Sequence, residues 1–198
     1  IPALWICKGL QTLSVSRLLR SAYLLYFSQP SGDRALWKAI QRSGVRSIVE
    51  LGIGFSGRTK RLLEVAGWKE DAPPLRYTGI DLFEARPAGQ SGMSLKEAYA
   101  EFRLPDVKIQ LVPGDPNMAL RRVANSLTGT DLLLVSANQD RDSLSAAWNW
   151  VPRMLTDTSL VFVEEAGAKP GTTVWKQVTV EEVRKLSASA GRSLRRAA

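Results

Sequence analysis

Apolar positions along the chain alternate between two periods. Residues 11–28 place Val15, Leu18, Leu19, Ala22, Leu25 and Tyr26 at steps of three and four, with Arg17 and Arg20 off that face. Such spacing predicts a helix with one covered side. Gln29-Pro30-Ser31-Gly32 breaks it, Asp33 is placed to cap a second helix through about Ser43, and Gly44 ends that helix. Val45–Leu51 then reads as a strand, followed by Leu75–Asp81 after the Pro73-Pro74 turn, Val107–Val112, Asp131–Val135 and Ser159–Val163. Between the strands, helical patterns cover Lys60–Ala66, Ser94–Phe102, Pro116–Leu127 and Ser143–Leu155. Ser94 and Glu97 are spaced as a capping box, and Trp148 and Trp150 read as core. Glu84–Gly92 reads as a flexible loop placed to act as a lid. Beyond the fifth strand come a loop, a weakly patterned strand at Thr173–Val178, a helix from about Thr179 and a small, basic, mobile tail, Ser187–Ala198.

Continuous apolar strands separated by helices imply a mostly parallel sheet covered on both faces, a three-layer α/β/α Rossmann-like sandwich. One domain is expected over 1–198, with a helical extension at 1–44, a core at 45–166 and a basic tail at 187–198. In such sheets a ligand lies at the carboxyl ends of the strands, where strand order reverses. The stretch Ser47–Thr59 (SIVELGIGFSGRT) fits that place. An apolar strand ends in Glu50, glycines follow at 52, 54 and 57, and a helix begins. Glycines so spaced let backbone N–H groups face a ligand. Each later strand also ends near a polar residue: Asp81, Asp115 and Ser136–Asp140. Asp81 lies 24 residues beyond Gly57, where an acid can accept both hydrogen bonds of a ribose diol.

Composition narrows the chemistry. The 198 residues contain no histidine, which excludes Ser-His-Asp and Cys-His catalysis and His-ligated zinc. Cys7 is the only cysteine, so no intrachain disulfide forms and a reducing, cytoplasmic setting is expected. No apolar run is long enough to span a bilayer, and Ile1–Cys7 does not read as a signal peptide. The net charge of +8 belongs to the flanks: residues 1–46 carry seven Lys/Arg against one acid, residues 167–198 seven against two, and the interior is slightly acidic. Solvated helix faces account for this pattern; an anionic partner such as RNA or a membrane surface is the competing reading.

The motifs ELGIGFSG at 50–57, GID at 79–81 and GD at 114–115 resemble those of class I S-adenosylmethionine-dependent methyltransferases over about residues 45–166. The resemblance implies that Gly52 and Gly54 pass beneath the methionine part of the cofactor, that Gly57 belongs to the same cofactor site and that Glu50 helps hold the amino group. It implies Asp81 on the ribose hydroxyls, Asp115 beside the adenine and Ser136 in the same cofactor site. It also implies that the first and fourth strands are central neighbours. A nicotinamide dinucleotide fits the glycine spacing as well, but Glu50 on the approach to a pyrophosphate disfavours it.

Leu134–Asp142 resembles the fourth-strand segment of the small-molecule O-methyltransferases, with Ser136-Ala137-Asn138 where metal-dependent members carry Asp-Ala-Asp. Ser and Asn bind a divalent cation poorly, so no metal is expected. Candidate general bases are Asp140, Asp142, Glu164 and Glu165; Asp142 reads as a helix cap, leaving Asp140 and Glu164 as the assigned pair. The expected activity is methyl transfer to oxygen or nitrogen of a small acceptor, with Arg86 and Arg141 placed to meet an acidic one. Family members usually finish with a helix and an antiparallel strand pair. The short stretch after residue 165, with Ser136 and Asn138, keeps open an inactive S-adenosylmethionine-binding scaffold, and the basic flanks keep open an RNA-associated protein.

Overall fold

The computed structural model describes residues 19–20, 22–67, 73–168 and 172–196. The elements run α1 (Asp33–Ser43), β1 (Ser47–Leu51), α2 (Ser56–Gly67), β2 (Leu75–Asp81), α3 (Leu95–Phe102), β3 (Val107–Pro113), α4 (Pro116–Val123), β4 (Thr130–Val135), α5 (Arg141–Ala147), β5 (Leu155–Ala166), β6 (Thr173–Val178) and α6 (Val180–Arg196). Strand order is β3-β2-β1-β4-β5-β6, with β1 and β4 adjacent at the centre. The first five strands are parallel and β6 runs antiparallel to β5. The expected sandwich and its central pair are therefore present.

Strand parity assigns each side chain to a layer. On β1, Ile48 packs with Leu36 and Trp37 of α1, Leu62 and Leu63 of α2, and Phe102 of α3. Val49 and Leu51 point the other way, toward Ala119 and Leu120 of α4, Ala147 of α5 and Val183 of α6. Burying each large apolar side chain contributes about 1.5–3 kcal/mol before entropy is counted. Tyr77 and Phe102 meet edge to face, 5.8 Å between ring centroids. Between the sheet and α1, the Asp131 carboxylate accepts from the Arg46 and Ser47 N–H groups at 2.8 and 2.9 Å, fixing where β1 and β4 start.

The Ser94 capping box forms in full, with both the Glu97 N–H to Ser94 Oγ bond and the Ser94 N–H to Glu97 Oε2 bond made. Ser94→Ala is expected to lower stability by about 1 kcal/mol, read by urea denaturation.

Several expectations are corrected. Much of the helix predicted over 11–28 lies outside the described residues, as does Cys7. Of its described part, Leu24 and Leu25 are buried, whereas Leu19 and Tyr26 are 68% and 58% exposed and Ala22 is exposed, so the covered face is not the anticipated one. The buried pair Leu24 and Leu25 is adjacent in sequence, so steps of three and four do not single out its face, and Tyr23 and Phe27 are exposed. Asp33 does not cap α1: Gly32 holds that position, and the buried Asp33 carboxylate accepts from Trp175 Nε1 at 2.9 Å. The helix expected over Ser143–Leu155 stops at Ala147, gives way to a 3-10 turn at Val151–Arg153, and β5 starts at Leu155. From Asn149 on the bonds run to the third residue back, and Pro152, which has no N–H to give Trp148, bars a return to the helical ladder. Trp148 is core, as read. Thr173–Val178 is a full strand, and most of the presumed mobile tail is helix, since α6 runs to Arg196. Among the described residues no helix is long and apolar enough to cross a membrane.

Candidate ligand cleft

A cleft of about 900 Å³ opens at the carboxyl ends of β1, β2 and β4, bounded by the turn after each strand. Its volume lies within the range of small-molecule sites. Gly52, Gly54, Gly57, Asp81, Asp115, Ser136, Asp140 and Glu164 all line it. Glu50 does not, and this is the main correction to the expected site. Being even-numbered on β1, Glu50 shares the α1–α3 face with Ile48 and is fully buried behind the glycine turn.

Buried carboxylates need partners. Glu50 Oε2 accepts from Tyr77 Oη at 2.7 Å and from Thr59 Oγ1 at 2.9 Å, and Oε1 lies 3.4 Å from Arg58 Nη2. Burial pushes the Glu50 carboxyl above its ordinary range, and Arg58, Tyr77 and Thr59 only partly offset it. Arg58, from the first turn of α2, is the hub. Its Nη1 lies 3.2 Å from both Glu164 oxygens, Nη2 contacts Ser136 Oγ, and its guanidinium stacks 5.0 Å from the centre of the Trp175 ring. One cation thus ties α2 to β1, β4, β5 and β6. Burial works against the Arg58 charge, but Glu50, Glu164 and Asp33 more than compensate and hold it protonated.

Glu164 also accepts from Thr173 Oγ1 at 2.7 Å and from the Ala137 N–H at 3.1 Å. Burial raises its pKa, yet Arg58, Thr173 and Ala137 outweigh that and hold it below the usual carboxylate range. A carboxylate so committed is a poor proton acceptor. Ser136 is equally occupied, donating to the Gly52 carbonyl at 2.7 Å while accepting from Arg58. Asp140 is exposed at the cleft edge and caps α5 through the Ser143 N–H at 2.8 Å. Asp115 caps α4, accepting from the Asn117 and Met118 N–H groups and from Ser143 Oγ. Burial raises its pKa too, but these bonds bring it below the ordinary value.

The glycines differ in what they do. Gly52 sits at φ +85° and Gly54 at φ +63°, left-handed conformations that disfavour any side chain. Nothing lies within 4 Å of where a Gly54 Cβ would be, so that corner is open to a ligand. At Gly52 the Gln139 amide occupies the space, 2.0 Å from a built Cβ. The segment expected as a lid borders the cleft through Gly89, Gln90 and Ser91, but Arg86 anchors its base to Asp81 at 2.7 Å. Arg141 is exposed and does not line the cleft. The sequence reading missed Arg58, Tyr77 and Thr59 around Glu50, and Gln139. The parity of β1 was the available signal, since a carboxylate on the face of Ile48 had to be buried and therefore needed a cation.

Neither a family model nor a curated protein matches the chain. Among solved structures, an O-methyltransferase from Bacillus cereus in complex with SAH is 16% identical, with 92% of this chain and 79% of that one covered at a TM-score of 0.51. TomG, an O-methyltransferase from Streptomyces achromogenes involved in tomaymycin synthesis, in complex with SAM, is 15% identical over 94% of this chain and 79% of that one, TM-score 0.48. The first likeness fixes the class of fold: a six-stranded Rossmann-like sandwich of the kind that the Bacillus protein has.

Proposed function

We propose that this chain is an S-adenosylmethionine-dependent methyltransferase, acting on an oxygen or nitrogen of a small-molecule acceptor. One observation carries the reading: the Gly52–Gly54 turn, Asp81 and Asp115 converge on one cleft where strand order reverses between β1 and β4. The residues present suit the cofactor. Asp81 has the chemistry for the ribose hydroxyls, Asp115 and Pro116 border the place for the adenine, and the N–H groups opening α2 suit a carboxylate. Gly54, open on its cleft side, admits the chain of the amino acid. Glu50, behind the turn, supports the loop and leaves the ammonium to Glu164 and the cleft carbonyls.

The bound cofactor supplies a methyl group on a sulfonium. The protein's part is alignment and exclusion of water. Arg58 fixes the glycine turn against β4 and β5, so the two walls of the cleft keep one spacing. Exposed Phe55 at the mouth offers a flat apolar face to an aromatic acceptor. Asp140, the exposed carboxylate at the cleft edge, takes the acceptor's proton; Glu164, held ionised by Arg58, positions. The reading takes 1–198 as one domain, and the single cysteine suits a reducing cytoplasm.

Calorimetry with S-adenosylmethionine, S-adenosylhomocysteine and NAD tests the proposal. Either adenosyl ligand should bind and NAD should not; preference for NAD would overturn it. Labelled methyl transfer into a metabolite pool then separates enzyme from scaffold. Tight binding without transfer would favour the scaffold, a reading supported by the full commitment of Glu164 and Ser136 to internal partners.

A further inference from the structure

Asp81 is the side chain that a nucleoside diol needs, and it is already taken. Its Oδ2 accepts from the Ile53 and Gly54 N–H groups at 2.8 and 2.9 Å. Its Oδ1 accepts from the Leu82 N–H at 2.6 Å, the Phe83 N–H at 3.4 Å and Arg86 Nη2 at 2.7 Å. Five donors converge on a group with about four lone-pair sites. Four are backbone groups fixed by the glycine turn and the end of β2. Arg86 is the one donor that side-chain rotation can remove.

Arg86 has a second task. Its Nη1 donates to the carbonyls of Phe83 at 3.1 Å and Met93 at 2.7 Å, bridging the two ends of the segment that rims the cleft. Gly92 lies flat against the guanidinium, where a Cβ would come within 2.3 Å of Cζ. The pair is nearly buried, with Arg86 10% and Asp81 8% exposed, so the bond between them is not weakened by solvent as a surface pair would be.

We propose that Arg86 competes with the ribose diol of an incoming nucleoside for Asp81, so that ligand entry and release of the 84–92 segment are one event. The inference rests on the nucleoside reading of the cleft. It makes Arg86 a specificity-determining residue. A 2′,3′-diol competes for the Oδ1 site that Nη2 holds and must displace it, whereas a dideoxyribose offers no donor there and leaves the Asp81–Arg86 bond in place. It also gives the rim segment its trigger: with Nη2 displaced, the same guanidinium loses its hold on the Phe83 and Met93 carbonyls. The chain thus senses the diol through its own arginine.

The experiment measures binding of S-adenosylhomocysteine, adenosine and 2′,3′-dideoxyadenosine by calorimetry to the native chain and to Arg86→Met, which keeps the apolar stem and removes the donors. The expected result is affinity about tenfold or more higher in Arg86→Met for both diol ligands, and no gain for the dideoxy compound. An equal gain for dideoxyadenosine, or no gain at all, overturns the proposal. If S-adenosylhomocysteine binds no tighter than adenosine in either protein, the methyltransferase reading fails while adenosine still decides the competition. Binding of none of the three to either protein overturns both. Should Arg86→Met not fold, Arg86→Lys keeps the charge but cannot span two carbonyls and a carboxylate. It should speed amide exchange at 88–92 in the unliganded protein, and unchanged exchange there overturns the coupling.

Discussion

Arg58→Met is expected to lower the unfolding free energy by about 3–5 kcal/mol, because it strands a fully buried carboxylate without its cation. Glu50 would keep Tyr77 and Thr59 as donors, but two hydroxyls do not replace a charge. Glu164 would lose both contacts to Nη1, and Trp175 the cation over its ring. The cost should depend on pH in a direction fixed by the carboxyl groups. In the native protein Glu164 titrates below its ordinary 4.5, so its stabilisation is present above 4.5 and is lost as pH falls through the lower folded value. Glu50 titrates above 4.5, so keeping it ionised in the folded state costs stability as pH rises through its raised value. Without Arg58, burial is opposed only by the Tyr77 and Thr59 hydroxyls at Glu50 and by Thr173 and the Ala137 N–H at Glu164, so both carboxyls should shift toward the proton. The gap between native and variant should therefore be smaller at pH 4 than at pH 8 by urea denaturation. A gap independent of pH would mean that the cluster is held by packing and not by charge. Arg58→Lys should recover only part of the loss, since one ammonium cannot serve Glu50, Glu164 and Ser136 together.

This cluster also marks where the sequence stopped being legible. Periodicity located all six strands, and Leu75–Asp81 and Thr173–Val178 to the residue. Covered strands such as β1 and β4 carry little but apolar side chains, whereas β6 is an exposed edge with a weaker pattern. It failed where the apolar spacing outruns the helix: α5 stops at Ala147, and Pro152 bars its continuation. The cleft-lining residues were readable because strand ends, glycine spacing and polar residues are local in sequence. What was not readable is long-range. Arg58 meets Glu164 across 106 positions, and Trp175 meets Asp33 across 142. Nothing near either residue announces its partner; only the order β1-β4-β5-β6 brings them together. Glu50 was legible in part: it lies inside β1, on the face of Ile48 that α1–α3 cover, whereas Asp81, Ser136 and Glu164 share that face but stand at or beyond the strand ends that border the cleft.

Asp81→Ala should then do two things at once, and they must be measured apart. Binding of a diol nucleoside should weaken by tenfold or more, and the fold should also lose about 3 kcal/mol. The stability loss follows from the groups left behind: the buried Ile53 N–H, the Gly54 and Leu82 N–H groups and the Arg86 guanidinium all lose their acceptor. Lost binding in this variant is therefore evidence for a ribose contact only if the glycine turn survives. Asp81→Asn separates the two effects, since its amide oxygen can still accept from the turn while the charge facing Arg86 is gone. It should fall between native and Asp81→Ala in thermal denaturation. Combining Asp81→Ala with Arg86→Met should cost less than the sum of the single changes by at least about 1 kcal/mol, because the double variant buries no unpaired guanidinium. Strict additivity would show that the two side chains do not share their energy in solution, and that Asp81 serves the turn through the backbone N–H groups alone.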